Sequence, residues 1–146
     1  MSASDVTAPI RIVAAAVRDE RGRLLLVRKQ GTQAFMQPGG KREPHEDDAA
    51  TLAREIREEL GCTVRPDSLR FLETMTAPAA NEPGRTVEAA LYAAALEGVP
   101  SVSAEIAELR WIDLDPPPNI PLAPLTRDRV IPLLRADKTT VIPGRA

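Results

Sequence analysis

The chain has 146 residues, 43% of them apolar and 27% charged, with a formal net charge of −2. That composition suits one soluble globular domain with a genuine core and gives no bulk attraction to a polyanion. Aromatics are limited to Phe35, Phe71, Tyr92 and Trp111, too few for a platform stacking successive bases, and a lone Cys62 excludes an intrachain disulfide or a cysteine-rich zinc site.

Residues 1–8 are small and polar and are expected to be a flexible N-terminus. They lack the basic-then-apolar pattern of a signal peptide, and no apolar run approaches the ~20 residues that span a bilayer. The expectation is a cytoplasmic protein with no membrane or nucleic-acid polymer as partner. Residues 10–17 (IRIVAAAV) read as a central strand, 19–22 as a turn and 23–29 as a second strand, the two forming a hairpin. Residues 35–37 are expected to be extended because Pro38 disfavours helical geometry before it, and Gly39-Gly40 permits backbone conformations closed to other residues.

A helix is expected to start near residues 46–48, where acids suit an N-terminus, and to end at Gly61. On a helical projection Ala49, Leu52, Ala53, Ile56 and Leu60 share one arc, while Thr51, Glu55, Glu58 and Glu59 share the next. Arg54 and Arg57 take the remaining side. Carboxylates at 55, 58 and 59 repel one another at such spacing, and a divalent cation would offset the repulsion. Strands follow at 69–76, 86–96 and 108–114, separated by loops at 77–84 and 97–104. After a proline-rich stretch at 115–124, residues 125–136 read as a helix with Thr126 at its N-cap and Pro132 splitting or kinking it. The fold class is α/β, a mixed sheet between helices, in a single domain at 9–136 followed by a tail at 137–146.

The run Gly40-x5-Glu46-x7-Arg54-Glu55-Ile56-x-Glu58-Glu59-x-Gly61-Cys62 resembles the Nudix box, G-x5-E-x7-R-E-U-x-E-E-x-G-U, where U is a bulky aliphatic. All the invariant letters match, a coincidence on the order of one in 10⁸ from composition alone. Cys62 in the last U position is the one departure, and it touches packing rather than chemistry. The approach Phe35-Met36-Gln37-Pro38-Gly39-Gly40-Lys41 extends the resemblance.

The resemblance implies an α/β/α sandwich of the Nudix fold and a Mg²⁺-dependent enzyme, with Mn²⁺ as the alternative ion. Water would attack the pyrophosphate of a nucleoside diphosphate linked to a further group. It assigns metal binding to Glu58 and Glu59, a ligand or base role to Glu55, a carbonyl ligand to Gly40, and orientation of the carboxylates to Arg54 with Glu46 as its partner. A further metal-binding acid is expected from a later loop. Glu105 is the choice, with Glu88 and Glu97 as competitors. Arg28, Lys29 and Lys41 could meet phosphates, Arg28 being best placed by resemblance and Lys41 second. The segments 81–84 and 126–128 are expected near the substrate, and His45 is read as exposed decoration.

Within the family the chain looks most like MutT-type members that convert a nucleoside triphosphate, oxidised or not, to a monophosphate and pyrophosphate. ADP-ribose or a sugar nucleotide is the alternative substrate, and a non-catalytic nucleotide-binding module is the alternative class. Retention of Glu55, Glu58 and Glu59 favours the enzyme. A homodimer is compatible with the sequence and not required by it.

Overall fold

A computed structural model describes residues 8–136. The expected terminal segments 1–8 and 137–146 lie almost wholly outside the described residues. Strand β1 (Ile10–Ala16) is the centre of a mixed sheet ordered β4-β1-β7-β6, with β4 at Gly39–Gly40, β6 at Arg70–Pro78 and β7 at Thr86–Ala93. β1 runs parallel to β7 and antiparallel to β4, and β6 runs antiparallel to β7. A second sheet, ordered β3-β2-β9, is antiparallel and joins Phe35–Met36, Leu24–Lys29 and Ile106–Ile112. The short strands β5 (Thr63–Val64) and β8 (Leu96–Glu97) pair with each other.

The expected hairpin of the first two strands is corrected. The turn forms, with Asp19 accepting from the backbone N–H of Arg21 and Arg23 and from Arg23 Nε. Leu25 N–H still donates to the Val17 carbonyl. Beyond that point the strands part into different sheets, because both edges of β1 are taken by β4 and β7 and both edges of β2 by β3 and β9.

This divergence creates two cores. Alternation along β1 and β2 sends Val13, Ala15, Val17, Leu25 and Val27 to one side and Ala14, Ala16, Leu24 and Leu26 to the other. Helix α1 (Asp48–Leu60) closes the first side with Leu52, Ile56 and Leu60, each with 0% exposure. Each such side chain contributes about 1.5–3 kcal/mol by burial. A carboxyl-terminal helical stretch closes the second with Val130, Ile131 and Leu134. The result is the helix–sheet–helix layering expected of the sequence. Alanines at the centres of β1 and β7 let the covering elements approach closely.

Helix α1 begins and ends as its sequence dictates. The Asp47 side chain caps Ala50 N–H, and Gly61 closes the helix in the left-handed conformation with its N–H on the Arg57 carbonyl. Its faces differ from the projection in two respects. Ala49 is exposed, whereas Thr51 is fully buried. Arg54 turns toward the acids rather than away from them. Strand β6 runs on through Pro78, two residues beyond the expected end, which an edge strand tolerates.

The final helix is also corrected. Thr126 is buried inside it and is not its N-cap. Residues Thr126–Val130 form a π-helical turn in which Ile131 N–H reaches the Thr126 carbonyl, and α2 (Ile131–Ala136) continues it. Pro132 lacks the N–H for a regular helical bond, and its ring needs space at the carbonyl four residues back. The widened turn just before it accommodates both. No helix among the described residues is long and apolar enough to cross a membrane.

Candidate active site

Two glycines fix where α1 meets the sheet. Gly39 has φ +147°, and a Cβ there would run into the backbone carbonyl of Val13. A Cβ on Gly40 would enter the carboxylate of Glu55. Strand β4 is therefore glycine so that one residue can lie against β1 and the next against the acidic face of α1.

Arg54 organises that face. Its Nε donates to Glu46 Oε2 at 2.6 Å and its Nη2 to Glu46 Oε1 at 2.9 Å, a bidentate pair. Nη2 also donates to the Lys41 carbonyl at 3.0 Å, and Nη1 to Glu55 Oε2 at 3.0 Å. Glu58, half exposed, lies 3.6 Å from Nη1. Glu46 accepts further bonds from Thr51 Oγ1 and Glu43 N–H, each at 2.9 Å. The Arg54 hydrogen bonds come first among the causes that hold the Glu46 carboxyl down at about 2, and the Arg54 pKa is raised in return. Thr51, expected on the acidic arc, is the buried hydroxyl that steadies Glu46.

Glu59 is 7% exposed, and its Oε1 accepts from Gly39 N–H at 3.2 Å. Burial, then the neighbouring Glu55 carboxylate, push its pKa well above the ordinary range, while the Gly39 N–H and the Lys29 ammonium pull the other way. Glu55 and Glu59 open into a cavity of about 370 Å³, whose wall also carries Gly40, Lys41, Lys29 and Glu105. Its remaining wall is largely aliphatic and includes Ile12, Val87 and Leu125. The Glu105 backbone is tied to the rim by Gln30 N–H at 2.7 Å.

The structure thus gathers most of the expected residues and sets others apart. Arg28 does not line the cavity. It bonds Glu108 at 3.3 Å and the Thr32 carbonyl at 2.8 Å. Lys29 takes the place in the wall, next to a β-bulge between the two residues. Alternation along β2 could have shown this, since Lys29 shares parity with Leu25 and Val27, which lie under α1. Of the two segments expected near substrate, Asn81, Glu82 and Thr126 line the cavity. Arg127 and Asp128 pair with each other in solvent. Glu88 pairs with Arg11 at 3.4 Å, facing a separate polar groove that also takes in exposed His45. Cys62 is buried, and burial raises its thiol pKa. Gln37, which the sequence reading did not single out, lines the cavity and is buried.

Among the described residues no three His, Cys, Asp or Glu side chains converge into a finished cation cage. Glu55 and Glu59 are nevertheless close enough to oppose each other's charge, and the available donors are carboxylate and carbonyl oxygens. Those are the ligands a hard divalent cation takes, and its charge would remove the repulsion.

A mixed-sheet sandwich with an acidic helix at the mouth of a mixed apolar and polar cavity defines a class of small metal-assisted hydrolases. The NUDIX domain model matches residues 8–134. The structure is similar to a MutT NUDIX hydrolase from Burkholderia pseudomallei (28% identity, 87% of this chain and 96% of that one, TM-score 0.71). It is also similar to the E. coli ORF135 protein (28%, 90% of each chain, TM-score 0.64). A UDP-X diphosphatase shares the fold at 24% identity and TM-score 0.71, with 88% of this chain covered and only 62% of that longer one. No curated protein matches the chain. The chain belongs to the Nudix family, and it is an enzyme of the pyrophosphohydrolase class.

Proposed function

We propose that this enzyme is divalent-metal-dependent and cleaves a nucleoside triphosphate to the monophosphate and pyrophosphate. The observation that carries the reading is Glu59, a carboxylate buried beside Glu55 in the wall of a cavity that also holds Lys29 and Lys41. An acid kept there at such electrostatic cost has a use that a solvated helix face does not supply.

Glu55, Glu58 and Glu59, with the Gly40 carbonyl, would hold Mg²⁺ or Mn²⁺, and Glu105 would add a ligand from the rim. When bound, the ion screens the phosphate charges and assists attack by water. Glu55 sits where it can accept a proton from that water, because Arg54 Nη1 fixes one of its oxygens and leaves the other free of that bond. Glu58 must swing from Arg54 toward the cavity to join the others. Lys29 and Lys41 would take the charge of the outer phosphates, and Arg54 with Glu46 keeps the carboxylates in place. The aliphatic wall suits the nucleoside.

Glu58→Gln tests the reading. Mg²⁺-stimulated release of pyrophosphate from a nucleotide panel is expected to fall by about 10²-fold or more, with an unchanged circular dichroism spectrum. Full activity in the variant would remove Glu58 from the site.

A further inference from the structure

Four polar or charged residues are buried: Gln37, Thr51, Glu59 and Thr126. Thr51 and Glu59 belong to the arrangement around α1. Gln37 and Thr126 belong to each other, since Thr126 Oγ1 donates to Gln37 Oε1 at 3.0 Å across 89 residues of chain. Both line the active-site cavity, and the Gln37 side chain is more than nine-tenths buried. With Oε1 engaged, the other end of the amide has nothing to bond. Gln37 Nε2 is buried and has no hydrogen-bond partner. A buried donor left unmade is costly, and folded proteins rarely keep one without a use.

The backbone around the pair is pinned. Phe35 N–H donates to the Pro121 carbonyl, Ala123 N–H to the Phe35 carbonyl, and Ala15 N–H to the Pro38 carbonyl. These bonds tie the segment bearing Gln37 to β1 on one side and to the chain leading into Thr126 on the other. An amide held in this way is preorganised for recognition.

We propose that Gln37, oriented by Thr126, determines base specificity by donating from Nε2 to a carbonyl oxygen on the ring of the substrate's base. The inference rests on the pyrophosphohydrolase reading and names the substrate class for that site. Nucleotide phosphates drawn to Lys29 and the metal-binding carboxylates leave the aliphatic wall of Ile12, Val87 and Leu125 for the base. The Gln37 amide is the polar group in that wall with a free donor. A ring carbonyl satisfies it, whereas a ring amino group would set donor against donor. Adenine, which has no ring carbonyl, is the base the site rejects.

The test compares kcat/KM for the preferred nucleoside triphosphate and for an analogue whose ring carbonyl is replaced by hydrogen. Wild-type enzyme and the similarly shaped Gln37→Met variant are both assayed. The wild type is expected to lose about 10- to 100-fold on the analogue, and Gln37→Met to bring parent and analogue to the same value. Three results would overturn the inference: a preference for adenine, equal wild-type turnover of parent and analogue, or a Gln37→Met loss that leaves their ratio unchanged, the mark of a purely structural role. The wild-type comparison decides the matter even if the variant fails to fold. Absence of turnover for every nucleoside triphosphate would bring down the proposed function itself, whereas turnover without the carbonyl dependence would bring down this inference alone.

Discussion

Arg54 grips Glu46 with two hydrogen bonds, Nε to Oε2 at 2.6 Å and Nη2 to Oε1 at 2.9 Å, and so ties the loop before α1 to the acidic face of the helix. The remaining guanidinium nitrogen holds Glu55 at 3.0 Å. A planar fork satisfies both carboxylates in a way that a lysine ammonium cannot. Arg54→Lys is expected to lower kcat and divalent-ion affinity by about 10- to 100-fold. Steady-state kinetics across a Mg²⁺ titration would show it, and unchanged values would deny Arg54 a role in placing the carboxylates.

The same pair sets an acid limit on stability. Glu46 has its folded pKa depressed to about 2 from an ordinary 4.5. The folded protein therefore binds fewer protons than the unfolded chain between those values. The stabilisation is fully present above 4.5 and is lost as pH falls toward 2. Urea unfolding of wild type and Glu46→Gln should show a gap that is constant above the ordinary carboxylate range and narrows below it. A gap independent of pH would contradict the assignment.

Glu59 has the opposite sign. Its folded pKa is raised, chiefly by burial and then by Glu55, so the metal-free folded protein holds a proton that the unfolded chain releases near 4.5. That contribution is present at and below the ordinary carboxylate range and is lost as pH rises above it. Metal-free wild type should therefore lose thermal stability with rising pH across this interval relative to Glu59→Gln. Saturating Mg²⁺ should reduce the loss, because a cation favours the ionised form. Parallel melting curves for the two proteins at all pH values would count against a strained Glu59.

The adjacent glycines separate stability from activity. Gly39→Ala sets a Cβ against the Val13 carbonyl at a left-handed φ, and neither the backbone nor the strand can yield. A loss of about 1–3 kcal/mol is expected in chemical denaturation. In Gly40→Ala the Cβ meets the Glu55 side chain, which can turn aside. The expected result is a smaller stability loss with kcat down by about 10²-fold. Equal effects of the two substitutions would show that Gly40 has no special relation to Glu55.

How far the sequence reveals these relations depends on the range over which each acts. Helix α1 was legible in full because its signals are local: Asp47 caps it, Leu52, Ile56 and Leu60 repeat at helical spacing, and Gly61 ends it. The inward turn of Arg54 was not, since a projection places a Cα direction and not the path of a long side chain toward partners across a loop. The divergence of β1 and β2 depends on β7 and β9, far away in sequence, competing for the strand edges. Arg28 and Lys29 differ by one step of strand alternation, and a neighbouring bulge makes that step hard to place from composition. Gln37 carried no signal of its own. Its meaning comes from Thr126, which the fold brings to it from near the opposite end of the chain.

The central chemistry is tested most directly by hydrolysis in ¹⁸O-labelled water. The intact protein would be incubated with Mg²⁺ or Mn²⁺ and a panel of nucleoside triphosphates, ADP-ribose and sugar nucleotides, with mass analysis of both phosphate-bearing products. Rapid turnover of a nucleoside triphosphate to monophosphate and pyrophosphate is expected, with one ¹⁸O per event in one of the two products. Nucleotide binding without cleavage of any panel member, with either ion, would contradict the account and mark the acidic helix as part of a binding module.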